Sequence, residues 1–130
     1  MNKKALIIIV AVVGIGAAIL AYRSTQQQDT FANKVSDAQS HAVVETGNEV
    51  SVSITGYTFK PDIIKVKKGT KITWHNKDNA PHTVTSDTGK FLDSPVLSQN
   101  STYEKTFDDS GVYRYHCTPH PGMLAAVIVE

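Results

Sequence analysis

The sequence predicts an all-β fold, a small antiparallel sandwich, preceded by an N-terminal transmembrane helix. Three observations support this prediction. Residues 5–22 are uncharged, residues 24–47 are polar without a sustained apolar period, and the rest of the 130-residue chain alternates apolar and polar residues between short turns. Alternation with a period of two is the pattern of half-buried strands, and about seven short strands with regular turns are typical of a sandwich.

The first segment has the composition of a membrane anchor. Lys3 and Lys4 precede the uncharged residues 5–22, which as a helix would span about 27 Å, close to the roughly 30 Å hydrocarbon core of a bilayer. The stretch is longer than the apolar region of most signal peptides, and cleavage after Ala21 would place Ile19 where a small residue is preferred. We therefore expect an uncleaved helix. The two lysines favour a cytoplasmic N-terminus, with the remainder outside the cytoplasm, periplasmic or extracellular. Cleavage would leave a secreted protein.

Three segments follow from these patterns. Residues 1–23 form the anchor or signal sequence, residues 24–47 a flexible polar linker, and residues 48–130 the folded domain. The linker has few large apolar residues, so we expect it to act as a tether, with room for one short helix over residues 31–40. Basic and acidic side chains are equal in number within residues 48–130. The folded domain therefore has no excess of positive charge that would predict a nucleic-acid partner.

Strands are predicted where apolar residues alternate with polar ones. The clearest cover residues 50–54, 64–66, 72–74, 113–117 and 123–129. Turn residues separate the strands, at Lys60-Pro61-Asp62, Lys68-Gly69-Thr70, Asp78-Asn79-Ala80-Pro81 and Asp108-Asp109-Ser110-Gly111. The parity of these strands directs Trp74 and Tyr115 into the core. It predicts a solvated sheet face, and only secondarily a patch for an acidic partner, for Lys65, Lys67, Lys68 and Lys71.

The segment over residues 115–123 reads Tyr-His-Cys-Thr-Pro-His-Pro-Gly-Met and places a thiolate, an imidazole and a thioether on one tight turn. These donors belong to Cys117, His120 and Met123. Two His and one Cys with a weak axial Met form the blue-copper arrangement, because these ligands together suit both Cu(II) and Cu(I). Closed zinc sites use Cys and His without Met. Since Cys117 is the single cysteine, a disulfide within the chain is excluded.

A second histidine ligand has to come from elsewhere in the chain. His41 lies in the predicted linker, and strand parity turns His75 and His116 away from the core. His82 follows Pro81 in a predicted loop between strands. We therefore predict that His82 completes one mononuclear copper site with the three donors of the C-terminal turn.

These motifs resemble those of the cupredoxins, in particular the amicyanin- and plastocyanin-like members. The resemblance covers roughly residues 57–129 and rests on Phe59-Lys60-Pro61, the turn at residues 66–69, Trp74 with Asn76, Pro81-His82, and Tyr113-x-Tyr115-x-Cys117-x-x-His120-x-x-Met123. It implies a Greek-key β-sandwich with copper at one end, and a His120 ring edge that faces solvent as the electron entry point.

The chain departs from the family pattern at two positions. Thr83 stands where an Asn commonly follows the first histidine ligand, and Gly122 stands where some relatives have a bulky residue. We expect the Thr83 hydroxyl to tie the two ligand loops together and its backbone N–H to donate to the Cys117 sulfur. The surface beside His120 is expected to be flat or exposed.

The predicted site indicates an electron shuttle that is not an enzyme. Multicopper oxidases and nitrite reductases need H-x-H ligand pairs, and this sequence has no such pair. A binuclear copper centre needs two thiolates, and this sequence has one cysteine. We expect transient redox partner proteins, which use small interfaces, and a monomeric chain. The alternative is a copper-handling or delivery protein without a redox-chain role. A surface module that uses a metal only for stability is a third reading.

Overall fold

One helix and nine strands make up the part of the chain that the computed structural model describes, which is the backbone of residues 3–41, 44–45 and 47–130 and the side chains of residues 16–39 and 47–130. The elements are α1 Lys3–His41, β1 Val44–Glu45, β2 Glu49–Ile54, β3 Phe59–Lys60, β4 Ile63–Val66, β5 Thr70–Asn76, β6 Thr85–Ser86, β7 Thr102–Phe107, β8 Gly111–Cys117 and β9 His120–Val129. The five strands predicted from alternation correspond to β2, β4, β5, β8 and β9.

The strands form two sheets with the orders β1-β4-β9-β8-β6 and β3-β2-β5-β7. The predicted all-β sandwich is confirmed, but the prediction that it is antiparallel is only partly correct. The pairs β1–β4, β2–β5 and β4–β9 are parallel, and the other strand pairs that the structure describes are antiparallel. The chain changes sheet after β1, β3, β4, β5, β6 and β7, so strands that are not consecutive lie side by side, three pairs of them in parallel.

The core lies between the sheets and follows the alternation of each strand. In β5, Ile72 and Trp74 are fully buried and His75 between Trp74 and Asn76 is exposed. Trp74 Nε1 donates a hydrogen bond of 3.0 Å to the Tyr115 hydroxyl on the opposite sheet. Burial raises the pKa of Tyr115, so its phenol stays neutral and available as an acceptor. The prediction that Trp74 and Tyr115 pack in the core is confirmed.

The segment predicted to be a flexible linker is helical over most of its length. Helix α1 continues to His41, through all but the last six residues of 24–47, and includes the short helix predicted at residues 31–40. The sequence has neither Gly nor Pro between Arg23 and His41, so nothing interrupts the helical backbone. Polar side chains there bond to the preceding turn, as Thr30 Oγ1 does to the Gln26 carbonyl at 2.8 Å. A polar segment without an apolar period is therefore not necessarily coil.

The end of α1 lies against the outer face of the sheet that contains β4. Lys34 pairs with Asp62, and Val35 is buried. Lys65 Nζ donates to the Gln39 carbonyl at 2.9 Å and lies 2.6 Å from Glu130 Oε1. The predicted solvated lysine face is therefore wrong at Lys65, which is buried with one partner from the helix end and one from Glu130.

The other three lysines do not form the predicted single sheet face, because Lys67 and Lys68 lie in the turn between β4 and β5 and Lys71 lies on β5 in the other sheet. Lys67 and Lys68 are exposed, and Lys71 is half-buried. Lys71 Nζ lies 2.7 Å from Glu49 Oε1 and 3.9 Å from Glu104 Oε2. Hydrogen bonding to Glu49 and the charges of the two carboxylates raise the pKa of Lys71.

The predicted membrane anchor at residues 5–22 lies largely outside the described side chains, which begin at residue 16. Within the described part of the chain, no helix has the length and apolar character needed to span a membrane.

Candidate metal centre

A two-residue hairpin presents two of the predicted ligands. Cys117 ends β8 and His120 begins β9, and the two residues are paired across the turn. The ladder is irregular between His116 and Cys117, which changes the direction of the strand just before the thiol. The hairpin therefore brings the sulfur and the imidazole together through local structure alone.

A third predicted ligand comes from a different part of the chain. His82 forms a short antiparallel bridge with Leu97, in which the His82 N–H donates to the Leu97 carbonyl at 3.1 Å and the Leu97 N–H donates back at 2.8 Å. The bridge fixes the backbone of His82, and the side chain is fully buried. Its position does not depend on the hairpin.

The three donor atoms form a nearly equilateral triangle. Cys117 Sγ lies 3.5 Å from Nδ1 of His82 and 3.5 Å from Nδ1 of His120, and the two nitrogens are 3.2 Å apart. A point equidistant from the three atoms lies about 2 Å from each, which matches a metal–imidazole bond and is slightly short for a metal–thiolate bond. Among the described side chains, this is the single group of three or more His, Cys, Asp or Glu residues close enough to hold a metal ion. The residues fit a trigonal metal site.

The site is closed on its inner side. His82 and Cys117 have no exposed surface, whereas His120 is half-buried. Met123 is buried in the same hydrophobic cluster as Cys117, three residues after His120. A thioether at this position is placed for an axial ligand or for core packing, so its role as a ligand stays a prediction.

Hydrogen bonds from Thr83 link the two ligand loops, as the sequence predicts. The Thr83 N–H donates to Cys117 Sγ at 3.4 Å, and the Thr83 hydroxyl accepts from the Thr118 N–H at 2.9 Å. The Thr85 hydroxyl lies 3.0 Å from the hydroxyls of both Thr83 and Thr118. An N–H directed at the sulfur stabilises its thiolate form, and the threonine bonds hold the loops in register.

Asp78 orients the buried histidine and was not predicted from the sequence. Asp78 Oδ2 lies 3.1 Å from His82 Nε2. This nitrogen is on the other side of the ring from Nδ1, which belongs to the triangle. Burial raises the pKa of the Asp78 carboxyl, but the N–H groups of Tyr57 and Gly56 and the His82 ring outweigh burial and hold that pKa below its usual value. The ionised carboxylate therefore accepts a hydrogen bond from Nε2–H, which leaves Nδ1 of His82 free to bind a metal.

Asn76 holds the loop that precedes His82. Its Nδ2 donates to the carbonyls of Ala80 at 2.9 Å and Leu97 at 2.8 Å, and its Oδ1 accepts from the Asp78 N–H at 3.0 Å. Strand parity places Asn76 on the core side with Trp74. A polar side chain at such a position has to find partners, which is the signal that could have identified it.

Two histidines that were not predicted as ligands, His75 and His116, lie away from the donor triangle. His75 is exposed on the outer face of β5. His116 is half-buried, and its Nδ1 lies 2.8 Å from Asp87 Oδ1. The side chain of His41 lies outside the described residues. His75 and His116 therefore lie outside the triangle that includes His82, on the side to which strand parity directs them.

Comparison with known proteins places the site in a family. Residues 46–130 match the family model of copper binding proteins, plastocyanin/azurin family. Amicyanin-alpha of Methylorubrum extorquens is 37% identical over 83 residues, which are 61% of this chain and 70% of the relative. Amicyanin of Paracoccus denitrificans is 35% identical over 85 residues, 62% of this chain and 65% of the relative. Halocyanin of Natronomonas pharaonis is 41% identical over 97 residues, 66% of this chain and 60% of the relative. The chain thus spans less than two thirds of the last two relatives.

Solved structures show the same fold. The Cu(I) form of one amicyanin mutant superimposes with a TM-score of 0.60 at 34% identity, covering 66% of this chain and 86% of that chain. The reduced form of another amicyanin mutant superimposes with a TM-score of 0.61 at 32% identity and the same coverage.

Proposed function

The chain belongs to the plastocyanin/azurin family of copper-binding proteins, the cupredoxins, and we propose that it is a one-electron shuttle whose copper is held by His82, Cys117, His120 and Met123. Copper is the cofactor, and when bound it supplies one-electron exchange between Cu(II) and Cu(I). Membership of this family supports a copper electron-transfer protein, and we infer that the chain is not an enzyme. The observation that carries the ligand assignment is the triangle of one sulfur and two nitrogens with sides of 3.2–3.5 Å.

The surroundings of the triangle favour a rigid site, which an electron shuttle requires. His82 is held from outside the triangle by Asp78, and its loop is held by Asn76. His120 lies between two prolines, Pro119 and Pro121, whose fixed backbone angle restricts the hairpin. Ligands that keep their positions in both oxidation states lower the reorganisation energy of electron transfer.

The surface around His120 supports the proposal of transient redox partners. The ring is half-buried, and the exposed prolines Pro81, Pro119 and Pro121 lie beside ligands in the sequence. Small apolar patches of this kind suit weak encounter complexes, which form and separate quickly. Partners are thus expected to approach the hairpin end of the domain, with the chain itself monomeric.

The location outside the cytoplasm is also a proposal, and it rests on the sequence. Residues 1–23 would serve as anchor, residues 24–47 as a spacer that is largely helical, and residues 48–130 as the copper domain. The expected result is that the full chain stays in the membrane fraction after alkaline extraction and keeps its first residues by mass spectrometry. A soluble chain that begins near residue 22 would show instead that the segment is a cleaved signal peptide.

The ligand assignment predicts a sharp difference between histidines. The full chain loaded with Cu(II) is expected to show an intense thiolate-to-copper band and a narrow copper hyperfine splitting in its EPR spectrum. His82→Ala should weaken the band strongly and widen the splitting, because a ligand is lost. His75→Ala and His116→Ala are the matched controls, and both should keep the spectrum of the parent.

Two outcomes would contradict the assignment. A colourless protein that prefers zinc would refute the copper site, and loss of the spectrum in either control variant would refute the parity argument. Measurement of electron self-exchange together with copper loss to a chelator distinguishes an electron shuttle from a copper-delivery protein. Slow exchange with ready copper loss would favour delivery over electron transfer.

A further inference from the structure

Tyr57 is an exposed aromatic residue that contacts both histidines of the proposed site. Its ring centroid lies 5.0 Å from that of His120 with an interplanar angle of 85°, and 5.5 Å from that of His82 with an angle of 80°. Edge-to-face contact at these distances is a favourable geometry for aromatic rings. The side chain nevertheless keeps 54% of its surface exposed. One face of the residue therefore meets the ligands and another meets solvent.

The backbone of Tyr57 is held in an unusual conformation by the same carboxylate that orients His82. Tyr57 has a φ of 57° and the preceding Gly56 has a φ of 61°, so two consecutive residues are left-handed. This region disfavours residues with a Cβ, and a bulky residue there is a local strain. The N–H groups of Gly56 and Tyr57 donate to Asp78 at 2.8 Å and 3.0 Å. Asp78 also lies 3.1 Å from His82 Nε2.

Asp78 thus couples two elements that are distant in the chain. The turn that carries Tyr57 and the ring of His82 are both bound to one carboxylate, so the phenol ring has a defined position relative to the ligands. The two left-handed residues lie in the turn between β2 and β3, which Thr55 and Thr58 close with backbone hydrogen bonds of 3.0 Å and 3.3 Å. Asp78 adds the link from this turn to His82.

We propose that Tyr57 is a positioning residue that covers the solvent side of the copper site. Its ring edge limits rotation of the half-buried His120 ring and keeps small external ligands away from the metal. The inference rests on the proposed function, because it takes His82 and His120 as copper ligands. The contacts are made by the ring, so the hydroxyl is not required for the effect.

Two substitutions in the full chain separate the ring from the backbone and from the hydroxyl. Tyr57→Gly removes the ring and is compatible with a positive φ, so the turn is expected to survive. Tyr57→Phe retains the ring without the hydroxyl. With Cu(II) bound, we expect Tyr57→Gly to lose copper to excess EDTA about tenfold faster than the parent, the scale of losing an outer partner of a metal ligand. Added imidazole should also change its EPR spectrum at lower concentration. Tyr57→Phe should behave as the parent.

A measurement without copper tests the same inference independently. In the metal-free chain with isotope-labelled histidine, NMR relaxation should show greater motion of the His120 ring in Tyr57→Gly than in the parent or in Tyr57→Phe. Thermal unfolding of metal-free Tyr57→Gly should not fall below that of the parent, which verifies that the variant folds. Val112→Ala is the matched control, since Val112 is an exposed apolar residue near the far end of β8 from Cys117.

The inference is overturned if Tyr57→Gly matches the parent in copper loss, in the response to imidazole and in His120 ring motion. It is also overturned if Tyr57→Phe loses copper as fast as Tyr57→Gly, because the hydroxyl would then be responsible. Failure of the parent to show a type 1 copper spectrum refutes the proposed function instead. In that case the metal-free ring motion still decides whether Tyr57 orders His120.

Discussion

Cys117→Ser is expected to abolish the intense visible band of the copper-loaded protein and to widen the copper hyperfine splitting. The band requires charge transfer from a thiolate, and a serine hydroxyl neither ionises at neutral pH nor shares electron density with copper in the same way. Cys117 Sγ is fully buried and lies 3.5 Å from the donor nitrogen of each histidine. The substitution removes the sulfur, the strongest donor of the triangle, and the sequence has no second cysteine that could replace it.

Copper affinity should fall in the same variant by more than about a hundredfold, because loss of a ligand exceeds the 10–100-fold cost of losing an outer partner. The measurement is competition against a chelator of known affinity, together with visible and EPR spectra of the full chain. His116→Ala is a suitable control, since His116 precedes Cys117 but its Nδ1 lies beside Asp87. A blue Cys117→Ser protein with the affinity of the parent would refute thiolate ligation.

Asn76→Ala is expected to lower the free energy of unfolding of the metal-free chain by about 3 kcal/mol. The substitution removes the Asn76 partner of the Ala80 carbonyl, the Leu97 carbonyl and the Asp78 N–H, of which the Leu97 carbonyl keeps its bond from the His82 N–H. Each buried polar group left unsatisfied costs about 1–3 kcal/mol, and entry of water offsets part of the sum. Leu97 also pairs with His82, so the site should lose order together with the fold.

The measurement is urea unfolding of the parent and the variant without metal, followed by fluorescence of Trp74, the single tryptophan. His75→Ala is the matched control on the same strand. His75 is exposed, and its loss should change the free energy of unfolding by less than about 0.5 kcal/mol. If Asn76→Ala is as stable as this control, the three hydrogen bonds do not hold the loop.

The sequence predicted the strands with a clear apolar pattern and missed those that are very short or mostly polar. In β5, core and solvent positions alternate, and the strand was evident from Ile72 and Trp74. Strand β7, Thr102–Phe107, carries mostly polar residues and buries only its last residue fully, so it has little apolar signal. Burial on both faces explains Lys65 in β4, since the helix end supplies a partner that lies 26 residues earlier in the chain.

The candidate site depends on both local and distant contacts, and the sequence predicted only the local ones. The sequence by itself determined the donor types and the pairing of Cys117 with His120, because residues on the two sides of a short turn are close in any fold. It also separated His82 from His75, because strand parity decides which side chains face outward.

Only the tertiary structure decided what surrounds His82. Asp78 is near in sequence, but the turn at Gly56 and Tyr57 reaches it from 21 to 22 residues away, and Leu97 bridges His82 from a later loop. These contacts depend on how β2 and β5 pair in parallel and bring their ends together, which alternation of apolar residues does not encode. The proposed ligands can therefore be predicted from local patterns, whereas the groups that contact them depend on sheet pairing.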